Sequence, residues 1–364
     1  MAIIGGGLVG MLTAYFLAKQ GVSVTIFDKS ELAQESSWAG GGILSPLYPW
    51  KYPDAVNRLA RESQRLYPEL IETLIEETDV DPQYWRCGMN ILASDVSKEG
   101  YAWLRKNDVK YSQTIGEWNR ENPAPYLYLP NIAQVRNPRF AKTMKAALAY
   151  LGVTTLPNTA VLDIAKMPNG LFKLETKKQS LLAERVVVCA GAWTRKVLCH
   201  VSGKISHTDS HNVDIKPVRG QMLLYDTPPG SLSSMILAKG KYIIPRRDGK
   251  VLVGSTMEDV GFCKDTTMDA KQSIKAFVAE HCATLSQYPI VSHWSGLRPG
   301  SPSGVPYIGE HPSISGLFVN SGHFRNGVIL APASANLMSS ILCGNSYPID
   351  SKDYSLAEEL VATA

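Results

Sequence analysis

Gly5, Gly7 and Gly10, followed eighteen positions later by Asp28, have the types and the spacing to hold a dinucleotide. The segment Ile3-Ile4-Gly5-Gly6-Gly7-Leu8-Val9-Gly10 reads as a buried strand end, a G-x-G-x-x-G turn and the start of a helix. In such a turn the first glycine permits the bend, and the second lets the backbone approach a pyrophosphate. The third lets helix and strand pack closely. The helix N-terminus adds free N–H groups and partial positive charge for the phosphates. Asp28 ends the next strand-like run, Val22–Phe27, where a carboxylate can accept hydrogen bonds from a ribose 2′-OH. An ordinary βαβ unit with a glycine turn is the plainer alternative. Ser36 and Ser37 follow, with hydroxyls able to donate to phosphate or cap a helix. Gly40, Gly41 and Gly42 come next, and three glycines in a row let a backbone pass very close to a flat or charged ligand. A ligand-free flexible loop is the alternative there. A second glycine cluster at this point is unusual for a nicotinamide dehydrogenase, whose next element would be a helix.

Apolar spacing predicts the elements that must hold these residues. A helix is expected over about 8–20, and one or two amphipathic helices over 54–77, broken near Pro68. A further helix is expected over 137–151, with β-meander strands at 159–164 and 172–176. Val186–Cys189 is a continuous apolar run, suited to a strand buried on both faces, and its Ala190-Gly191 end leaves room for a ligand. Mixed short strands over 84–129, and hairpins over 215–290 interrupted by a helix at 269–285, read as a substrate-side β-domain. Near the C-terminus Trp294–Gly300 leads to a strand at 316–320, a polar loop at 321–327 and a helix over 328–342, with Pro332 in its first turns. That helix would return the chain to the first domain and point its N-terminus at a reduced ligand ring.

Composition narrows the function classes. A chain of 364 residues suggests two domains, and 45% apolar with 19% charged residues is ordinary for a folded protein. A net charge of +4 without a dense Lys/Arg block argues against nucleic-acid binding. The six scattered cysteines suggest reduced thiols, with neither a disulfide frame nor a metal site. The N-terminus lacks a basic region ahead of its apolar residues, so it does not read as a signal peptide. With no apolar run of about 18 residues, no spanning helix and no stable membrane association are expected, and a soluble cytoplasmic protein follows. The chain opens almost inside its first strand, as though a residue or two preceded it.

Together these residues resemble the FAD-dependent D-amino acid oxidase superfamily and, within it, the glycine oxidases linked to thiazole synthesis for thiamine. The resemblance runs over essentially the whole chain. Its most specific parts are the Gly5–Gly10 turn with Asp28, Ser37-Trp38-Ala39-Gly40-Gly41-Gly42, Trp294–Gly300 and Gly322-His323-Phe324-Arg325-Asn326-Gly327. It implies an α/β plus α+β fold, with a Rossmann-like FAD-binding domain of the GR2 type and an antiparallel-sheet substrate-binding domain. The first would cover 1–80, 135–200 and 292–364, the second 81–134 and 201–291. The FAD would be non-covalent, since no cysteine stands in a recognised attachment setting. Besides the glycine turn, Leu8, Val9, Asp28, Lys29, Ser36 and Ser37 would line it, as would Gly41, Gly42, Ile43 and Gly191 further along. Val161 would touch its adenine side, and the turn from His323 and Phe324 through Arg325, Asn326, Gly327 and Val328 to Ile329 would cover the flavin. Asp28 stands where the family often has Glu, which shortens the reach to the ribose.

By the same resemblance Arg298 would hold a substrate carboxylate, helped by Tyr242 and Arg325, with Met257 at an active-site methionine position. A planar guanidinium suits that task, because it can bind a carboxylate through two parallel charge-assisted hydrogen bonds. Plainer readings stay open. Arg298 can tie a hairpin to its sheet, Arg325 can pair with a surface carboxylate, and Tyr242 and Met257 can be core residues. Tyr48, Trp50 and Tyr52 are candidates for a lid. The activity implied is oxidative deamination of glycine, sarcosine or small D-amino acids. Hydride would go to flavin N5, O2 would be reduced to H2O2, and no side chain would serve as an obligatory base. A homotetramer is implied as well. The alternative is a quinone-linked D-amino acid dehydrogenase of the same fold. A tRNA-modifying flavin domain and a ligand-sensing flavoprotein have less support, the first for want of a basic stripe.

Overall fold

Ala2–Ile4, Thr25–Phe27 and Val186–Val188 are short, apolar and almost fully buried, and they pair in parallel, as strands covered on both faces do. The computed structural model describes residues 1–116, 118, 123–202 and 213–356. Parts of the expected segments 81–134, 201–291 and 292–364 therefore lie outside the described residues. Thr154–Leu156 extends this sheet on one side and Ile314–Ser321 on the other, with Tyr307–His311 antiparallel at the edge. One face packs Ile3, Ile26, Val187 and Phe318 against four helices, Leu8–Lys19, Asp54–Thr78, Asn137–Tyr150 and Gly327–Cys343. The other face packs Ile4, Phe27, Val186 and Val188 against a four-stranded sheet through Ile164, Phe172 and Leu174. Alternate residues of each strand thus enter different cores, as the two-residue period of a strand requires.

A separate eight-stranded sheet runs in the order Ile290–Gly300, Lys216–Asp226, Lys250–Gly254, Lys241–Pro245, Met235–Ala238, Met89–Leu92, Pro125–Leu129, Ser112–Ile115. All its neighbours are antiparallel except Met235–Ala238 beside Met89–Leu92. The same alternation splits its two faces, with Met235 and Leu237 in one core and Ile236 and Ala238 in the other. Helix Met268–His281 covers the second face through Ile274, Phe277 and Val278. The expected boundary at 292 falls inside the strand Ile290–Gly300, which hydrogen-bonds into this sheet along Lys216–Tyr225. That strand carries Arg298 from the eight-stranded sheet toward the glycine turns.

One proline expectation needs correction, and the other proline shows how its place is tolerated. The helix over 54–78 is continuous through Pro68. Val56, Leu59, Tyr67, Leu70, Ile71 and Leu74 bury one face across the proline, so tertiary packing outweighs the single lost hydrogen bond. Pro332 lies in the second turn of helix Gly327–Cys343, beyond the positions where proline is costless. Its missing N–H would have bonded the carbonyl of Val328, four residues back. The buried Tyr67 hydroxyl donates to that carbonyl at 2.6 Å, so the orphan acceptor is satisfied from the neighbouring helix. The stretch Phe324–Cys343 is also long and apolar enough to cross a membrane by length and composition, against the expectation from apolar runs. It is 72% buried, among the helices and sheet just described.

Candidate active site

The cleft begins at the glycine turn. Gly5 has φ +112°, and a Cβ there would lie 2.4 Å from the Cys189 carbonyl oxygen. A Cβ on Gly10 would lie 2.0 Å from the Gly5 carbonyl oxygen, so only glycine lets helix Leu8–Lys19 sit this close to its strand. The Ser37 hydroxyl accepts the Leu8 N–H at 2.9 Å, capping this helix from the short helix Ser36–Ala39, for which Ser36 and Ser37 make no such cap. Asp28 is held in place by three donors. Its Oδ2 accepts from Gly6 N–H at 2.7 Å, and its Oδ1 from the Ser30 N–H at 2.9 Å and hydroxyl at 3.0 Å. An ionised carboxylate accepts about four hydrogen bonds, which leaves room for a ligand hydroxyl. Thr159 N–H donates to the Asp28 carbonyl at 2.7 Å, and this brings Val161 alongside. Lys29 sits 3.3 Å over the Trp193 ring, and both line this end.

The middle of the cleft is built on Gly40–Gly42. A Cβ on Gly42 (φ +76°) would lie 2.0 Å from the Val135 carbonyl oxygen. Arg246 clamps this turn: it donates to the Gly41 carbonyl at 2.9 Å, to the Val135 carbonyl at 3.1 Å and to the Gln134 side chain. Burial pulls its guanidinium down to about 10, still charged at neutral pH. Nothing in the sequence around Pro245-Arg246 signals this role, which depends on a contact two hundred residues away. Trp294 donates its indole N–H to the Ala39 carbonyl at 3.2 Å and packs edge-on to Trp38, joining the two tryptophan-bearing motifs. Gly191 (φ +52°) has open space on its Cβ side and lines the cleft.

The far end gathers Arg298, Tyr242 and Arg325, from two strands of the eight-stranded sheet and the turn before helix Gly327–Cys343. Arg298 donates to the Ser255 hydroxyl at 2.7 Å and to the Thr256 carbonyl at 3.2 Å. Tyr242 donates to the same Ser255 hydroxyl at 3.2 Å. Ser255, which the sequence reading overlooked, thus ties the two together. Gly220 was overlooked too: a Cβ there would lie 2.0 Å from the Arg298 guanidinium. Burial lowers the Arg298 pKa, Tyr242 opposes the shift, and Arg325 adds to it. Among the described residues no carboxylate pairs with Arg298. Arg325 donates to the Gly240 carbonyl at 2.9 Å and approaches the Met257 sulfur at 3.5 Å.

Most of the expected residues converge on one cleft: Gly5, Gly7, Leu8, Val9, Asp28 and Lys29 at one end, Ser36, Ser37 and Gly41–Ile43 in the middle. Val161, Gly191, His323, Phe324, Gly327 and Val328 complete the wall. Four do not line it. Gly10 serves helix packing, Met257 is 54% exposed outside, and the side chains of Asn326 and Ile329 are buried behind the turn. Tyr48, Trp50 and Tyr52 are the lid candidates, and Tyr52 lies near enough to Arg298 to act on its charge. Tyr48 is buried, donates to Asp95 at 2.7 Å and packs edge-on to Trp50, and none of the three lines the cleft. His323 is buried in the cleft wall, and burial pushes its pKa down to about 3, so it is neutral and ill suited as a base. The cleft therefore offers an anion seat on a helix N-terminus, a carboxylate with accepting capacity to spare, a glycine floor and, at the far end, a guanidinium with no carboxylate partner among the described residues.

Comparison with known proteins fits that geometry. The profile of the family described as DAO, FAD dependent oxidoreductase, matches residues 1–341. A glycine oxidase of Pseudomonas putida is 41% identical over 363 residues, covering 97% of each chain. A bifunctional protein ThiO/ThiG of Trichormus variabilis is 28% identical, over 94% of this chain and 52% of that one. A solved glycine oxidase structure from Bacillus cereus superposes with a TM-score of 0.87 at 29% identity, covering 99% of both chains.

Proposed function

Because this chain belongs to the DAO family of FAD dependent oxidoreductases, we propose that it oxidatively deaminates glycine, with sarcosine and small D-amino acids as further substrates. It is an FAD-dependent amine oxidase with a glycine oxidase-like fold. The observation that carries the substrate assignment is Arg298, a guanidinium enclosed at the end of the cleft with no carboxylate of its own among the described residues. A charge enclosed without a partner is costly, and a ligand carboxylate would supply the missing half. The residues also fit FAD. The glycine turn is a cradle that side chains would fill, Ser37 organises the helix N-terminus, and Asp28 keeps accepting capacity for a ribose hydroxyl.

When bound, FAD would supply the two-electron chemistry, as acceptor of the α-hydrogen as hydride at N5 and as the source of electrons for O2. The chain's own residues bind and aim. Arg298 and Arg325 would take the carboxylate, with Tyr242 beside them, and fixing that end orients the α C–H. Ser255 holds Arg298 and Tyr242 at a common hydroxyl, so the pair would be set before substrate arrives. The amine would react in its neutral form, and the imino acid formed from glycine would hydrolyse to glyoxylate and ammonia. The balance is glycine, O2 and water to glyoxylate, ammonia and H2O2. We assign FAD binding to the discontinuous segments 1–80, 135–200 and 292–364, with Arg298 on the strand that joins them to the substrate side. A homotetramer, a cytoplasmic location and a link to thiamine thiazole synthesis belong to the same reading; the relative named ThiO/ThiG is in keeping with the last.

Oxygen uptake by the FAD-loaded protein with glycine, sarcosine and D-alanine tests this reading. Equal O2 consumption and peroxide formation with glycine is expected. Turnover with a quinone but none with O2 would replace the oxidase with a dehydrogenase. The seat of Arg298 makes a sharper prediction. Gly220→Ala places a methyl where the guanidinium lies, so the KM for glycine should rise roughly ten-fold, the worth of about one charged hydrogen bond. The bound-flavin spectrum should not change. An unaltered KM would mean that Arg298 does not hold the carboxylate.

A further inference from the structure

A line of buried polar side chains runs behind the turn at the far end of the cleft. His323 Nε2 lies 2.7 Å from the Ser334 hydroxyl, and that hydroxyl donates to Asn320 Oδ1 at 2.6 Å. A hydroxyl has one proton. If Ser334 gives its proton to Asn320, it can only accept from His323, so Nε2 must carry the hydrogen. The Asn320 amide is oriented consistently, since its Nδ2 donates to the Ser334 carbonyl at 3.3 Å and to the Thr13 hydroxyl at 3.4 Å. Thr13 in turn donates to the Val9 carbonyl at 2.8 Å, in the first turn of the dinucleotide helix. His323, Ser334, Asn320 and Thr13 are all buried, so no bulk water competes for these bonds.

The other ring nitrogen follows by elimination. A neutral imidazole with hydrogen on Nε2 has a lone pair on Nδ1. Among the described residues no protein donor reaches Nδ1. Nor is it one of the sealed, partnerless polar atoms, and the residue forms part of the cleft wall. We propose that Ser334 and Asn320 are positioning residues that fix His323 in the Nε2–H tautomer and so present Nδ1 as a hydrogen-bond acceptor to a donor group of the bound flavin nucleotide. The proposal rests on FAD occupying the cleft, as above. It gives the buried histidine a task that proton transfer does not. The line also links the Gly322–Gly327 turn to Val9, so the two ends of the cofactor site are set together.

The test is nitrogen NMR of the FAD-loaded protein with 15N-labelled histidine, where the missing signals of His323→Gln identify the residue among the seven histidines. The expected pattern is a protonated Nε2 and an unprotonated Nδ1 for His323 at neutral pH. Ser334→Ala should disturb that pattern and raise the FAD dissociation constant about three- to ten-fold, the worth of one hydrogen bond. Ser334→Thr, which keeps the hydroxyl, should restore both. Hydrogen on Nδ1, an imidazolium, or a Ser334→Ala protein with unchanged tautomer and FAD affinity would overturn the proposal. If Ser334→Ala fails to fold, the wild-type spectrum alone decides the tautomer. Glycine turnover measured on the same samples separates the two claims, because turnover without this tautomer would leave the reaction intact and remove only the clamp.

Discussion

Arg298→Ala should lower kcat/KM for glycine by roughly 30- to 4000-fold while the protein still binds FAD. The range follows from the about 2–5 kcal/mol lost when one partner of a buried, hydrogen-bonded charge pair is truncated. Arg298 is bonded to a serine hydroxyl and a main-chain carbonyl, both neutral, so its charge is balanced by nothing among the described residues. The substrate carboxylate is the group that would balance it. Truncation removes the seat but touches none of the glycine turns, which explains why cofactor and substrate effects should separate. Arg298→Lys should fall between the two, since an ammonium keeps the charge and loses the planar fork. Steady-state kinetics beside a flavin absorbance spectrum reads both quantities. A variant that keeps its kcat/KM would assign the guanidinium to a structural role in its hairpin.

Gly10→Ala should do the reverse, weakening FAD binding roughly 5- to 150-fold and leaving Arg298 untouched. The added Cβ would sit 2.0 Å from the Gly5 carbonyl oxygen, and main chain cannot swing aside as a long side chain can. The helix must lift off its strand, at a cost of about 1–3 kcal/mol, typical of overpacking a close contact. That movement also pulls Leu8 away from the Ser37 hydroxyl and spoils the N–H seat offered to phosphate. Fluorescence titration of the apoprotein with FAD measures the loss, and a thermal melt shows whether the fold survives. Stoichiometric FAD with an unchanged dissociation constant would mean the turn does not carry the pyrophosphate.

The glycine turn and Asp28 were legible because their chemistry is local: turn, helix start and carboxylate all fall within the first 28 residues. The buried run at Val186–Val188 was legible for a similar reason, since a strand covered on both faces has no polar alternation. Arg298, Tyr242 and Met257 came instead through family likeness, as no spacing connects a strand at 241–245 to one at 290–300. Gly220, Ser255 and Arg246 escaped because each acts on a partner brought near only by the eight-stranded sheet or by its packing on the Gly40–Gly42 turn. Pro68 was misjudged for a related reason. Local propensity gives it as a break, while the packed face around Tyr67 makes the helix continuous. The proposed boundary near 292 falls within strand Ile290–Gly300, which pairs into the eight-stranded sheet while carrying Arg298 to the cleft, a double duty that local pattern does not reveal.

The central claim is that glycine, seated by its carboxylate on Arg298, reduces the bound flavin. Rapid anaerobic mixing of the FAD-loaded protein with glycine, followed by admission of air, tests it most directly. The oxidised-flavin band should bleach in a single glycine-dependent phase and return in air with one H2O2 formed per flavin. A band that ignores glycine, sarcosine and D-alanine alike would contradict the account and leave only an FAD-binding fold.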